Sequence, residues 1–136
     1  ISEEPVIGYD LFPTFAEIGG GGKYNGETIV DGMSLLPLFI DPKHSMDRSL
    51  YWHFPYYHPE GNKFGNARPS IGVDDFSVSQ TRPQSAIRRG DYKLMYFEED
   101  QRSELYDLRR DLSEQIDVSL EEPAIARALK SRFSGI

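Results

Sequence analysis

Residues 85–97 read SAIRRGDYKLMYF, two runs of β-favouring side chains on either side of Gly90-Asp91. Gly-Asp is a pair that takes the positive φ of a tight hairpin, so the stretch reads as two antiparallel strands, 85–88 and 92–97, joined by a short turn. The same residues contain Arg89-Gly90-Asp91, a tripeptide that some extracellular proteins display to cell-surface receptors. The flanking strands favour the turn over the ligand, because they give the glycine a steric role. Within 92–97, Tyr92, Leu94 and Tyr96 point to one face and Lys93, Met95 and Phe97 to the other. Both faces carry large side chains, which requires a sheet at least partly covered on each side.

A polar break at 98–102 precedes SELYDL at 103–108, a third strand, and the three strands form an antiparallel meander. Cover for one face comes from the C-terminus. Pro123 suits the first helical position after Glu122, and Ile125, Ala128, Leu129 and Phe133 make an apolar stripe on a helix over 123–133. The other face has no obvious local partner. The fold class is therefore α+β, a small antiparallel β-sheet packed by a C-terminal helix.

Upstream, RSLYWHF at 48–54 has the aromatic content of a strand that Pro55 stops. Residues 55–84 are rich in Pro, Gly, Asn and Ser without sustained period, the longest irregular stretch of the chain. DGMSLLPLFI at 31–40 reads as a short buried segment with a helical turn, dense in Leu35, Leu36, Leu38 and Phe39. The first helix is predicted over 10–18, with Asp10 as its cap, Pro13 in its first turn and Leu11, Phe15 and Ile18 on one face. Gly19 to Gly22 end it and open a flexible loop.

Composition narrows the function classes. A chain of 136 residues fits one domain and buries roughly two thirds of its unfolded surface. The net charge of −7 and pI near 4.9 repel a phosphate backbone, so nucleic acid is not an expected partner. No apolar run approaches the roughly 20 residues of a membrane span. With no Cys, there is neither disulfide nor thiolate chemistry.

Five pieces in order carry a resemblance: VIGYDLFPTFAEIGG at 6–20, DGMSLLPLF at 31–39, RSLYWHFPYYH at 48–58, SAIRRGDYKLMYF at 85–97, and SELYDLRRDLSEQ at 103–115 before an amphipathic helix. Together the chain resembles the C-terminal part of the formylglycine-dependent sulfatases, arylsulfatase-like enzymes of the alkaline-phosphatase-like superfamily. The resemblance implies that residues 1–44 lead out of the large α/β domain and that 45–136 form the C-terminal subdomain. It implies a parent that hydrolyses sulfate esters, aryl or glycan, by attack of a hydrated formylglycine on sulfur, with calcium stabilising the sulfate oxygens. The expected partners are the N-terminal sulfatase domain of the same chain and a sulfated small molecule or glycan, and the parent is expected to be periplasmic or secreted.

No Cys or Ser stands in a C/S-x-P-x-R motif here, so no catalytic residue, formylglycine or metal ligand is assigned to this chain. Asp74-Asp75 is an acidic pair, but it lies in the wrong order for the family's calcium ligands and reads as solvated charge. What the segment offers the parent is structure and the rim of the substrate pocket, where loops on a rigid scaffold set specificity.

His53, after Trp52 on the strand, and His58, after Tyr56-Tyr57, are the candidate substrate-binding residues, since imidazole hydrogen-bonds and titrates near neutrality. The bland reading makes His53 a satisfied strand residue and His58 a surface one. A metal site from His44, His53 and His58 lacks compact ligand spacing and a fourth ligand. Lys93 reads as an edge residue that snorkels to solvent. The competing class is a binding module without catalysis, either an adhesion module presenting Arg89-Gly90-Asp91 or a carbohydrate-binding one using Tyr51, Trp52, Phe54, Tyr56 and Tyr57. Without the large domain, the helix at 10–18 and one sheet face are expected to expose apolar surface.

Overall fold

A computed structural model describes residues 1–20, 29–55 and 83–135 and divides the chain into two compact units, residues 1–47 and 48–136. Residues 56–82, which include His58 and Asp74-Asp75, lie outside the described residues, as do residues 21–28. No helix of the described residues is long and apolar enough to cross a membrane.

The first unit contains a 3-10 turn at Gly8–Asp10 that runs directly into helix α1, Leu11–Gly20, and a short helix α2, Leu36–Ile40. Helix α1 therefore continues two residues past the expected end, through Gly19 and Gly20, where neither glycine meets a steric demand. Asp10 caps from inside the helical run, not from the position before it: it is the third residue of the 3-10 turn and its carboxylate accepts the N–H of Ile7, the N-cap. It is fully buried, with Oδ2 accepting the Ile7 N–H at 2.9 Å and Oδ1 accepting the Met33 N–H at 3.1 Å. Thr14 completes the strap: its hydroxyl donates to the Asp10 carbonyl at 2.6 Å and accepts the Leu35 N–H at 2.9 Å.

Two side chains one helical turn apart thus tie α1 to a segment more than twenty residues away, satisfying backbone donors that burial would otherwise orphan. Just before the tied amides, Gly32 is required sterically, because a Cβ there would stand 2.2 Å from the Tyr9 carbonyl oxygen. Leu35, Leu38 and Met46 form a small core, and Glu4 Oε1 accepts the Met46 N–H at 2.9 Å. Phe39, expected inside, is 65% exposed, because on the single turn of α2 it lies beside, not beneath, the buried Leu38. Leu11, Phe15 and Ile18, the predicted apolar face of α1, are exposed, and the helix buries Pro13 and Thr14 instead.

The second unit is a four-stranded antiparallel sheet of β1 Ser49–Phe54, β2 Gln84–Arg89, β3 Tyr92–Phe97 and β4 Arg102–Asp107, in that order across the sheet. The expected meander is β2 to β4; the sheet also takes in β1, which pairs with β2 so that Tyr51 faces Ile87 and His53 faces Ser85. The turn between β2 and β3 is the two-residue hairpin, with Gly90 at φ +57°. Asp91 is held by backbone, its carbonyl accepting the Leu108 N–H at 2.8 Å. Arg89-Gly90-Asp91 is thus part of the framework joining β2, β3 and the end of β4.

Register sets the two faces. Ile87, Leu94 and Leu105 stand in one row across three strands, each with no exposed surface, and Leu129 of helix α3, Pro123–Lys130, closes over them. Helix α3 stops at Lys130 and a 3-10 turn, Ser131–Gly135, carries the chain on, so Phe133 reaches the core from beyond the helix. Ala126 packs on the core in place of the expected Ala128, which is exposed. The Phe133 ring lies 6.1 Å from that of Tyr96, and Lys130 Nζ sits 4.8 Å over the same Tyr96 ring.

The outer edge of β4 is closed by the chain that follows it. Leu105 donates its N–H to Asp117 Oδ1 at 3.0 Å, and its carbonyl accepts the Val118 N–H at 2.8 Å, so this strand leaves fewer unpaired groups for another chain. Asp111 accepts the Gln115 and Ile116 N–H groups and Asp107 accepts that of Arg109. The aspartates of SELYDLRRDLSEQ and Asp117 just after it fix a loop; their spacing serves backbone donors.

Candidate functional site: the groove beside strand β1

On the sheet face opposite helix α3, Trp52, Phe54, Arg88, Lys93 and Met95 line a groove of about 540 Å³, with Leu112 and Glu114 from the loop after β4 along one side. Alternation puts these side chains there: Trp52, Ala86 and Met95 share one cross-strand row, and Arg88 and Lys93 share the next. This is the face for which the sequence offered no partner. Lys93 stands on an interior strand, so it is not a snorkelling edge residue. Its Nζ meets both carboxylate oxygens of Glu114, at 2.7 and 2.8 Å, an ion pair that anchors the loop over the sheet.

Tyr106, in the row of Arg88 and Lys93, is buried and donates its hydroxyl to Glu104 Oε2 at 2.6 Å. Burial first, and then the nearby charges of Asp117 and Glu114, push its phenol up to about 12. Arg102 pairs with Asp100 and with Glu104 and lies 4.2 Å over the Phe97 ring. These groups are mutually satisfied and offer structure more readily than chemistry.

His53 adds to the lining of this groove and is exposed, although the register points its side chain to the opposite face, in the row of Ser85 and Tyr96. Its Nδ1 is hydrogen-bonded to Ser85 Oγ at 2.9 Å, and Ser85 Oγ donates to Glu98 Oε1 at 2.9 Å. Nothing local in the sequence signalled Ser85 or Glu98, since the chain joins them to His53 only through cross-strand register and the turn after β3. His44 lies in the other unit, exposed, its N–H donating to the Asp41 carbonyl at 2.9 Å. Among the described residues, no three His, Cys, Asp or Glu side chains are grouped to hold a metal ion.

No protein-family model matches the sequence. A curated protein of Formosa agariphila named Sulfatase is 32% identical over 123 residues, a match covering 85% of this chain. The chain belongs with the sulfatases. It spans 19% of the length of that relative. Among solved structures, Ps i-CgsB superposes over 97% of this chain and 24% of its own, with a TM-score of 0.67 and 24% identity. A 2-O GAG sulfatase superposes over 91% of this chain and 23% of its own, with a TM-score of 0.54 and 24% identity. At these identities the structural likeness is one of fold, and the α+β architecture of this sulfatase segment is that of the family's C-terminal subdomain.

Proposed function

We propose that this segment serves a parent enzyme that hydrolyses sulfate esters of a glycan, giving it a rigid C-terminal subdomain and part of the substrate-pocket rim. The observation that supports this most is the Sulfatase match over 85% of the chain, joined to an exposed histidine on β1, the strand whose other face carries Trp52 and Phe54 into the groove. Glycans are favoured over simple aryl sulfates because related structures hold them. Ps i-CgsB has been solved with k-i-k-neocarrahexaose, and another relative by fold with its substrate D-glucosamine-2-N,6-O-disulfate.

The nucleophile and the calcium belong, in this reading, to the N-terminal domain of the same polypeptide. The residues of this chain do not fit either group: it has no Cys and no Ser-x-Pro-x-Arg, and among the described residues no three His, Cys, Asp or Glu side chains are grouped to hold a metal ion. No chemical step is routed through them. His53, and His58 with it, contact the sugar away from the sulfur. The parent is periplasmic or secreted, where sulfated polysaccharides are met.

The test is kinetic. His53→Ala in the full-length parent is expected to lower kcat/KM for the sulfated oligosaccharide by about tenfold to a hundredfold, the equivalent of one lost hydrogen bond to a polar or charged group. A small aryl sulfate cannot reach the rim and should be turned over unchanged. Equal losses on both substrates, or wild-type kinetics on both, would remove His53 from the rim.

A further inference from the structure

The hydrogen-bond chain that joins β1, β2 and the end of β3 determines which proton the His53 ring carries. A glutamate carboxylate only accepts, and a serine hydroxyl has one proton to give. At 2.9 Å from Glu98 Oε1, the Ser85 hydroxyl gives its proton to the carboxylate. The same oxygen lies 2.9 Å from His53 Nδ1, and with its proton committed it can only accept there. Nδ1 must then be the N–H of the ring. Were Nδ1 the bare nitrogen, two lone pairs would face each other at hydrogen-bond distance. Ser85 is buried, which fixes the hydroxyl and raises the penalty for such a mismatch.

From this geometry we propose that Ser85 and Glu98 are positioning residues that hold neutral His53 as the Nδ1–H tautomer, reserving the Nε2 lone pair for a hydrogen-bond donor of the substrate. The ring's second nitrogen has no hydrogen-bond partner among the described residues. An acceptor at Nε2 suits a sugar hydroxyl or an amide N–H. It disfavours a sulfate oxygen, which brings only lone pairs. The inference rests on the rim reading of His53 for its substrate, and it sharpens that reading: neutral His53 recognises the unsulfated positions of a glycan.

The Glu98–Ser85–His53 order also separates this arrangement from a nucleophilic triad. In a triad the serine hydroxyl donates to the imidazole, which is oriented by the acid. Here the serine lies between the other two, its hydroxyl proton spent on Glu98, so it orients the ring and is not activated by it.

Long-range ¹H–¹⁵N correlation of the histidine rings in this chain, at a pH where His53 is neutral, tests the relay without any substrate; His53→Gln assigns the signals. The expected spectrum has a protonated Nδ1 and a bare Nε2 for His53. Ser85→Thr keeps the hydroxyl and should keep that pattern. Ser85→Ala removes the acceptor, and Glu98→Ala frees the Ser85 proton to turn toward Nδ1, so both should shift the ring toward the Nε2–H form that free imidazole side chains favour. A wild-type ring already in the Nε2–H form, or a tautomer unmoved by both alanine variants, overturns the relay. Kinetics of the parent separate the two ideas. An Nδ1–H ring together with wild-type kinetics for His53→Ala supports the relay and overturns the rim reading. Loss of glycan turnover in Glu98→Ala, smaller than in His53→Ala and absent for an aryl sulfate, supports both.

Discussion

Asp10→Ala is expected to unfold the first unit of the chain while leaving the sheet intact. The side chain is fully buried and its two oxygens accept the Ile7 and Met33 N–H groups. Truncation removes both acceptors and leaves two part-buried backbone donors without their partner. A fully buried orphaned donor costs about 1–3 kcal/mol, and partial access to water lowers that, so the two together cost on the order of 2–4 kcal/mol. That is comparable to the whole stability of a unit of this size, whose buried apolar core among the described residues is three side chains. Amide hydrogen exchange resolves the outcome by region: protection should collapse over 7–20 and 33–40 and persist over β1 to β4. Asp10→Asn keeps one acceptor oxygen and should fall between the two. Protection in Asp10→Ala equal to wild type would mean that the strap carries little of the unit's stability.

Leu94→Ala should be the most damaging single truncation in the sheet. Leu94 has no exposed surface and lies between Ile87 and Leu105 beneath Leu129, with neighbours on the flanking strands and the helix that cannot collapse into the space it leaves. Transfer and cavity terms together give about 2–5 kcal/mol for such a leucine. Met95, the next residue on the same strand, faces the groove and is only half-buried, so Met95→Ala should cost less than half as much. Denaturant unfolding of the two variants reads the difference directly. Equal losses would contradict the assignment of the core to the helix-covered face.

Local chemistry made the hairpin legible. Gly90-Asp91 between two β-favouring runs favours one register, and alternation along 92–97 puts Leu94 and Met95 on opposite faces. Helix α3 was legible from Pro123 and its apolar stripe, although the change to a 3-10 turn at Ser131 was not, since nothing in SRFSG breaks a helix outright. What stayed hidden depends on partners distant in the chain. Asp10 has the residue type and position of a helix cap, and only the arrival of Met33, 23 residues on, turns it into a buried strap. The pairing of β1 with β2 joins strands some thirty residues apart in sequence, so His53 could be picked out by type while Ser85 and Glu98 could not. The exposed face of α1 shows the limit from the other side: Leu11, Phe15 and Ile18 have helical spacing, and the sequence pattern does not say which body buries them.

The account holds that this segment gives a sulfatase its C-terminal scaffold and rim and leaves the reaction at sulfur to residues elsewhere. Sulfate release is the direct measurement, made with this chain alone, purified to constant specific signal, on a chromogenic aryl sulfate and on a sulfated oligosaccharide, with and without calcium. The account predicts no release above the uncatalysed rate under any of these conditions, and turnover of both substrates by the full-length parent. Saturable release that stays with the isolated chain through purification would contradict it, because these residues would then contain a nucleophile of their own.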